Sequence, residues 1–137
     1  MPYTIKQAAE LMNLTPVTLR YYDKQGLLPY MERKESGYRM FSDGDIAMLR
    51  VIECLKKSGM SIKDIRQFSE WVLMGDDSLQ ERYKMFLERK KAVEAQMADL
   101  QKTLDFINHK CWYYETAIEA GTEKIHFKEQ SDKLPCE

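Results

Sequence analysis

Arg20, Tyr21, Tyr22 and Lys24 fall within a single window, and Tyr38 and Arg39 follow after a short interval. Cations interleaved with hydroxyl-bearing aromatics are suited to gripping phosphate oxygens and resting on sugars along a duplex groove. Thr15, Thr18 and Arg20 suit the groove side; Tyr21 belongs to the same cluster, and Tyr22, Lys24, Tyr38 and Arg39 suit phosphate and sugar. No nucleophile–base pair, phosphate-binding glycine loop or metal-ligand constellation is visible. Enzymatic chemistry and a cofactor are therefore not expected.

The elements that must hold these residues can be read locally. Thr4 to Gln7 has the form of a capping box, predicting a helix over about 4–12 that buries Ile5, Ala8, Ala9 and Met12. Asn13-Leu14 makes a turn. Thr15 is an N-cap and Pro16 occupies the first helical position, where a missing N–H costs nothing. This second helix runs to about Gln25 and stops at Gly26. Two short helices across a tight turn predict helix-turn-helix geometry. Read instead as an ordinary amphipathic helix, the second would use Val17, Leu19 and Tyr22 as core.

Residues 31–41 centre on Glu35-Ser36-Gly37, a turn flanked by Arg33 and Arg39, and predict a two-stranded wing. In a winged arrangement the second helix enters the major groove while the wing crosses the backbone or minor groove. Third and fourth helices are expected over about 43–58 and 62–73, ended near Gly59 and Gly75.

From Leu79 the pattern changes. Leu79, Tyr83, Phe86, Lys90, Val93, Met97, Leu100, Leu104, Ile107, Cys111, Tyr114 and Ile118 alternate at spacings of four and three, an a/d seam with Lys90 as its polar member. A helix over 77–119 would be roughly 60 Å long. A domain of about 75 residues cannot cover such a seam; a second copy can, which predicts a homodimer through residues 79–118. Tyr114 lies in the seam, whereas Trp112 and Tyr113 face outward. The spacing does not fix the strand direction; in an antiparallel pairing, docking on the partner's third and fourth helices is expected for them, with Phe68 and Trp71 as receivers. Three parts follow: residues 1–75, a helix over 76–120, and a loosely ordered tail over 121–137.

The net charge of −1 hides an asymmetry. Residues 1–66 carry 11 Lys/Arg against 8 Asp/Glu, a net of +3, and residues 67–137 carry 10 against 14, a net of −4. The basic excess falls on the half with the candidate DNA elements. No apolar run reaches membrane-spanning length and no signal-peptide region is present, which predicts a cytoplasmic protein without membrane attachment. Cys54, Cys111 and Cys136 are too far apart for a close-spaced metal motif.

Three runs carry a family likeness: Thr18-Leu-Arg-Tyr-Tyr-Asp23, Gly26-Leu-Leu-Pro29 and Ser36-Gly-Tyr-Arg-Met-Phe-Ser42. They resemble the signature of the MerR family of transcriptional regulators over residues 3–75. The resemblance implies a mainly α chain: a winged helix-turn-helix domain followed by a dimerisation helix in an antiparallel coiled coil. It further implies binding to an inverted repeat within a promoter whose spacer is over-long. Bending and untwisting that spacer would let RNA polymerase engage both promoter elements. Bending a site costs on the order of 1–6 kcal/mol, offset by added contacts. By the same resemblance Arg20, Tyr22, Tyr38, Arg39 and Lys56 match DNA-contacting positions.

Cys54 has Arg50 four residues before it and Lys57 three after, on one helical face, and nearby cations favour the reactive thiolate. Glu53 opposes them. As residues alone, a buried small hydrophobe is the simpler reading of Cys54. The run Ile52 to Ile62, with Gly75-Asp76, resembles the thiol-dependent, aldehyde- and electrophile-responsive branch of the family, and implies Cys54 as the sensing residue. Cys111 and Cys136 lack the loop and the spacing of the family's metal-sensing members; His109 and His126 are single, able to supplement a site but better suited to surface or packing roles. Metal-responsive regulation is the first alternative, an effector-free architectural DNA-binding protein the second, and a coiled-coil adaptor the third.

Overall fold

The first four helices each begin at a hydroxyl that accepts an otherwise orphaned backbone N–H. In the computed structural model, which describes residues 2–33 and 39–127, Thr4 Oγ1 accepts from the Gln7 amide at 3.1 Å while Gln7 Oε1 accepts from the Thr4 amide at 2.9 Å. Thr15 accepts from the Thr18 amide at 3.1 Å and Ser61 from the Asp64 amide at 3.2 Å. Ser42 and Asp45 form a second capping box, at 3.1 and 2.9 Å.

The resulting elements are β1 (Tyr3–Thr4), α1 (Ile5–Met12), α2 (Pro16–Lys24), β2 (Glu32–Arg33), β3 (Arg39–Phe41), α3 (Asp43–Lys57), α4 (Ile62–Met74) and α5 (Leu79–Ala120). Single 3-10 turns occupy Gly75–Ser78 and Glu123–His126. The mainly helical class and the long C-terminal helix are those expected, and helix ends fall within a residue or two of the expected ones. By internal contacts the chain forms two units, Met1–Lys90 and Lys91–Glu137.

In the first unit, α1 to α4 close over a core that includes Leu19, Tyr22, Leu27, Leu49, Ile52 and Ile65, all fully buried. The far end of α2 is held firmly. Gly26 takes φ +77°, which glycine adopts without a Cβ penalty, and lets the Leu27 amide donate back to the Tyr22 carbonyl at 3.0 Å. Arg66 of α4 then donates to both the backbone and the side-chain oxygen of Gln25, each at 2.6 Å, setting a cation at the negative end of α2. Ser69 adds a 2.8 Å bond to the Leu27 carbonyl.

The two strands expected for the wing, β2 and β3, pair antiparallel, and a third strand that was not expected joins them. The sheet has the order β1-β3-β2, because Tyr3 and Thr4 pair antiparallel with Phe41 and Met40. A two-residue strand has no alternation for a sequence pattern to detect, and its partner is far along the chain. The expected turn at Glu35-Ser36-Gly37 lies outside the described residues.

The start of α5 belongs to the first unit. Arg89 donates to the Ser58 carbonyl at 3.1 Å, and Arg82 to the Gly75 carbonyl at 2.8 Å. Phe86, expected in the seam, stacks edge-on against Phe68 of its own chain, with ring centroids 5.5 Å apart. Phe68 is thereby occupied from within, which corrects its expected role as receiver for a partner's aromatics.

The second unit brings another correction. Tyr113 is buried, but by its own chain: the turn Glu123–His126 folds back onto α5. The Tyr113 hydroxyl donates to Glu123 Oε1 at 3.2 Å, and burial, then that carboxylate, push its phenol pKa up. The His126 ring lies 4.4 Å from Tyr113 and 4.9 Å from Trp112 between centroids, with Nε2 2.6 Å from Thr116 Oγ1. Where a loose tail was expected, the segment 121–127 is thus held to α5 through Glu123 and the buried His126, while its other residues stay exposed; 128–137, with Cys136, lie outside the described residues. Along the rest of this unit's helix, Met97, Leu100, Leu104, Ile107, Tyr114 and Ile118 are exposed.

Candidate nucleic-acid interface

A helix held at both ends presents one face reliably, and on α2 that face is a stripe. Val17, Arg20, Tyr21 and Lys24 are all exposed, at the i, i+3, i+4, i+7 spacing that lines up side chains. Thr15 and Thr18 flank its N-terminal end, with their hydroxyls 2.9 Å apart and engaged in the cap. Asn13, φ 55°, turns the chain sharply enough between α1 and α2 to leave this face uncovered.

Tyr22 departs from expectation. By type and position it suits phosphate and sugar like its neighbours, yet the residue is 1% exposed. Its ring is core, and only its hydroxyl reaches a polar group. That hydroxyl donates to Glu53 Oε2 at 2.6 Å and accepts from Lys56 Nζ at 2.6 Å, both on α3. Lys56 Nζ is 5.1 Å from the ring centroid, off the hydroxyl end rather than over the face, so the contact is a hydrogen bond and not a cation–π pair. Tyr22 therefore ties α2 to α3 and positions Lys56, whose side chain stays 40% exposed beside the α2 stripe's helix. Glu53, noted in the sequence only as a charge beside Cys54, completes the tie at 3.9 Å from Lys56.

Burial and then the bond to Glu53 push the Tyr22 hydroxyl well above the usual tyrosine range. The folded chain thus holds this proton after the unfolded chain, at about pH 10, has begun to release it. The stabilisation is complete below about pH 10 and is lost as pH rises toward the folded value. Urea midpoints taken from pH 9 to 12 should fall less steeply for Tyr22→Phe than for the parent; parallel slopes would remove Tyr22 as a source.

In the wing, β2 and β3 pair Arg33 opposite Arg39, described at the level of the backbone. Tyr38 lies outside the described residues. Cys54 is exposed on α3, contrary to the reading of it as a buried hydrophobe, with Arg50 and Lys57 also exposed on the same helix. Cys111 is exposed as well. Among the described residues no group of three His, Cys, Asp or Glu side chains is placed to share a metal ion. Sequence reasoning missed Val17 as an exposed member of the stripe, and Glu53 and Arg66 as side chains that hold α2 in place; only the first carried a signal, the helical spacing of the stripe.

A basic, aromatic-bearing second helix of a helix-turn-helix, followed by a small wing, defines a DNA-binding regulator of the winged helix-turn-helix class. Comparison with known proteins specifies the family. The MerR HTH family regulatory protein description matches residues 3–70, and the MerR DNA-binding description residues 46–110. An uncharacterised HTH-type transcriptional regulator of Haemophilus influenzae is 43% identical over 124 residues, 90% of this chain and 92% of its own length. The structure of HiNmlR, a MerR family regulator lacking the sensor domain, bound to promoter DNA, superposes with a TM-score of 0.80 at 42% identity, covering 91% of this chain and 99% of that one. A MerR family regulator from Bacillus thuringiensis gives 0.74 at 40% identity, over 81% and 97%. The chain belongs to the MerR family of helix-turn-helix transcriptional regulators. Its relatives are regulators and not enzymes.

Proposed function

We propose that the chain acts as a homodimer, joined through residues 79–118 in an antiparallel coiled coil, that carries two winged domains (residues 1–75) to an inverted repeat in a promoter. The observation that carries this reading is the exposed apolar row on α5 from Met97 to Ile118, too long and too apolar to be left in water. The α2 stripe, Lys56 and the wing arginines grip the duplex. HiNmlR's promoter-bound form, at 42% identity, supports that contact. Two domains on one rigid helix pair bend and untwist the spacer, and RNA polymerase then engages both promoter elements. The site of action is cytoplasmic; no helix among the described residues is long and apolar enough to cross a membrane.

Cys54 is the switch in this reading. An aldehyde adds through its carbonyl carbon to the thiolate sulfur, and the carbonyl oxygen takes up a proton. Added bulk or lost charge there shifts α3 relative to the wing; on the same helix Glu53 carries the carboxylate that accepts from Tyr22 of the recognition helix at 2.6 Å. A shift of α3 is thereby passed to α2 through the Tyr22–Glu53 bond, which changes the distance between the two recognition helices. The test is selection of bound duplexes followed by transcription in vitro with and without formaldehyde. Aldehyde-dependent transcript is expected from the parent and not from Cys54→Ser. A response undiminished in Cys54→Ser would end the cysteine mechanism, and a selected promoter with a spacer of ordinary length would end the distortion mechanism.

A further inference from the structure

Val17 is the residue on the DNA-facing stripe that the reading above leaves without a task. It is 71% exposed, the most exposed of the large hydrophobic side chains in the first unit among the described residues. It sits in the first turn of α2, directly after Pro16, at the N-terminal head of the stripe that continues through Arg20, Tyr21 and Lys24. Leu19 and Tyr22, on the opposite face of the same helix, carry the packing, so the core makes no use of Val17. Neither does capping, since Thr15, through its hydroxyl, serves as the N-cap.

The neighbours define what an occupant must be. Arg20 and Lys24 make the stripe cationic and ask for an anionic partner, yet its leading residue offers only two methyl groups. The major groove of a duplex meets both requirements: phosphates line its edges, and the thymine C5-methyl is the apolar group on its floor. The N-terminal residues of a recognition helix are those that reach base edges. Thr15 and Thr18 have spent hydroxyl capacity on each other and on the cap, which leaves the first turn with little polar reach and one bare apolar side chain.

We infer that Val17 is a specificity-determining residue that packs against a thymine methyl in each half-site of the operator. This deepens the proposed DNA-binding function and rests on it. Arg20 would supply a hydrogen-bonded contact next to it, and the two together fix the register of α2 on the half-site.

The test removes the methyl alone. In the operator selected with the full chain, each thymine of one half-site is replaced in turn by deoxyuridine, which leaves every hydrogen-bonding group unchanged. Fluorescence anisotropy should find one position at which the replacement weakens binding about three- to six-fold, the range expected for one buried methyl. Val17→Ala should bind the thymine operator more weakly and show no further loss on that replacement. Alanine is favourable in an exposed helical position, so the variant is expected to stay folded. If no deoxyuridine replacement affects the parent, or if Val17→Ala shows the same penalty as the parent, the assignment of Val17 is wrong while DNA binding stands. Failure to select any duplex would overturn both.

Discussion

A chain carrying Leu100→Glu and Leu104→Glu is expected to run as a monomer in sedimentation equilibrium and to lose about 100-fold or more of its affinity for a two-half-site operator. Leu100 is 69% exposed and Leu104 48%, and both lie on the apolar row of α5. Glutamate is a good helix former, so α5 itself should persist with its circular dichroism little changed. What changes is the pairing: four carboxylates would meet where two apolar rows face each other, and each would have to lose water to stay there. The affinity loss follows from linkage rather than from any DNA contact. Joining two half-site binders raises affinity by about 10²–10⁴ through effective concentration, and a monomer forfeits that factor. Affinity for a single half-site should be nearly unaltered. Retention of the dimer, or unchanged binding to the full operator, would show that the row on α5 is covered by something other than a second copy.

Phe41→Ala is expected to lower folding stability by about 3–5 kcal/mol, the range for emptying a buried aromatic site. Phe41 is 0% exposed, ends β3 and pairs in register with Tyr3. Its ring belongs to the cluster that holds Leu19, Leu49 and Ile52, so it is the anchor by which the wing's central strand is fastened to α2 and α3. A domain has only about 5–15 kcal/mol in hand, and this loss is a large share of it. The urea midpoint should fall with little change in slope. Met40→Ala, one residue along and only partly buried, should cost much less. A shift for Phe41→Ala no greater than that of Met40→Ala would mean that the wing is not fastened through this ring.

The features that were legible beforehand share a physical cause. Thr4, Thr15, Ser42 and Ser61 announce helix starts because a cap is satisfied within three residues. Gly26 announces an end because its backbone can turn where others resist. The stripe of Arg20, Tyr21 and Lys24 and the seam of α5 are periodicities, and a helix converts spacing directly into a face. So the helix-turn-helix, the long helix and the basic face follow from interactions that never reach beyond one or two turns.

What the tertiary structure decided involves partners far apart in the chain. Tyr22 belongs by type and position to the DNA-facing group, and only the approach of α3 shows its hydroxyl committed to Glu53 and Lys56. Tyr113 had the look of a surface awaiting a second chain until Glu123 and His126 folded over it. Phe68 was free to receive a ring from elsewhere until Phe86 filled the place. Conversely Val17 could be core or surface by type alone, and the packing of α2 through Leu19 and Tyr22 put it in water. Aromatic and β-branched side chains gain from burial wherever it is available, so their type does not say which neighbour will provide it. By itself the sequence determined the local elements and the cationic face, because these are written in short spacings. Which hydroxyl is spent, which ring is covered and which valine stays bare were decided by how α2, α3 and α4 come together and, separately, by how the turn after α5 folds back on its own helix.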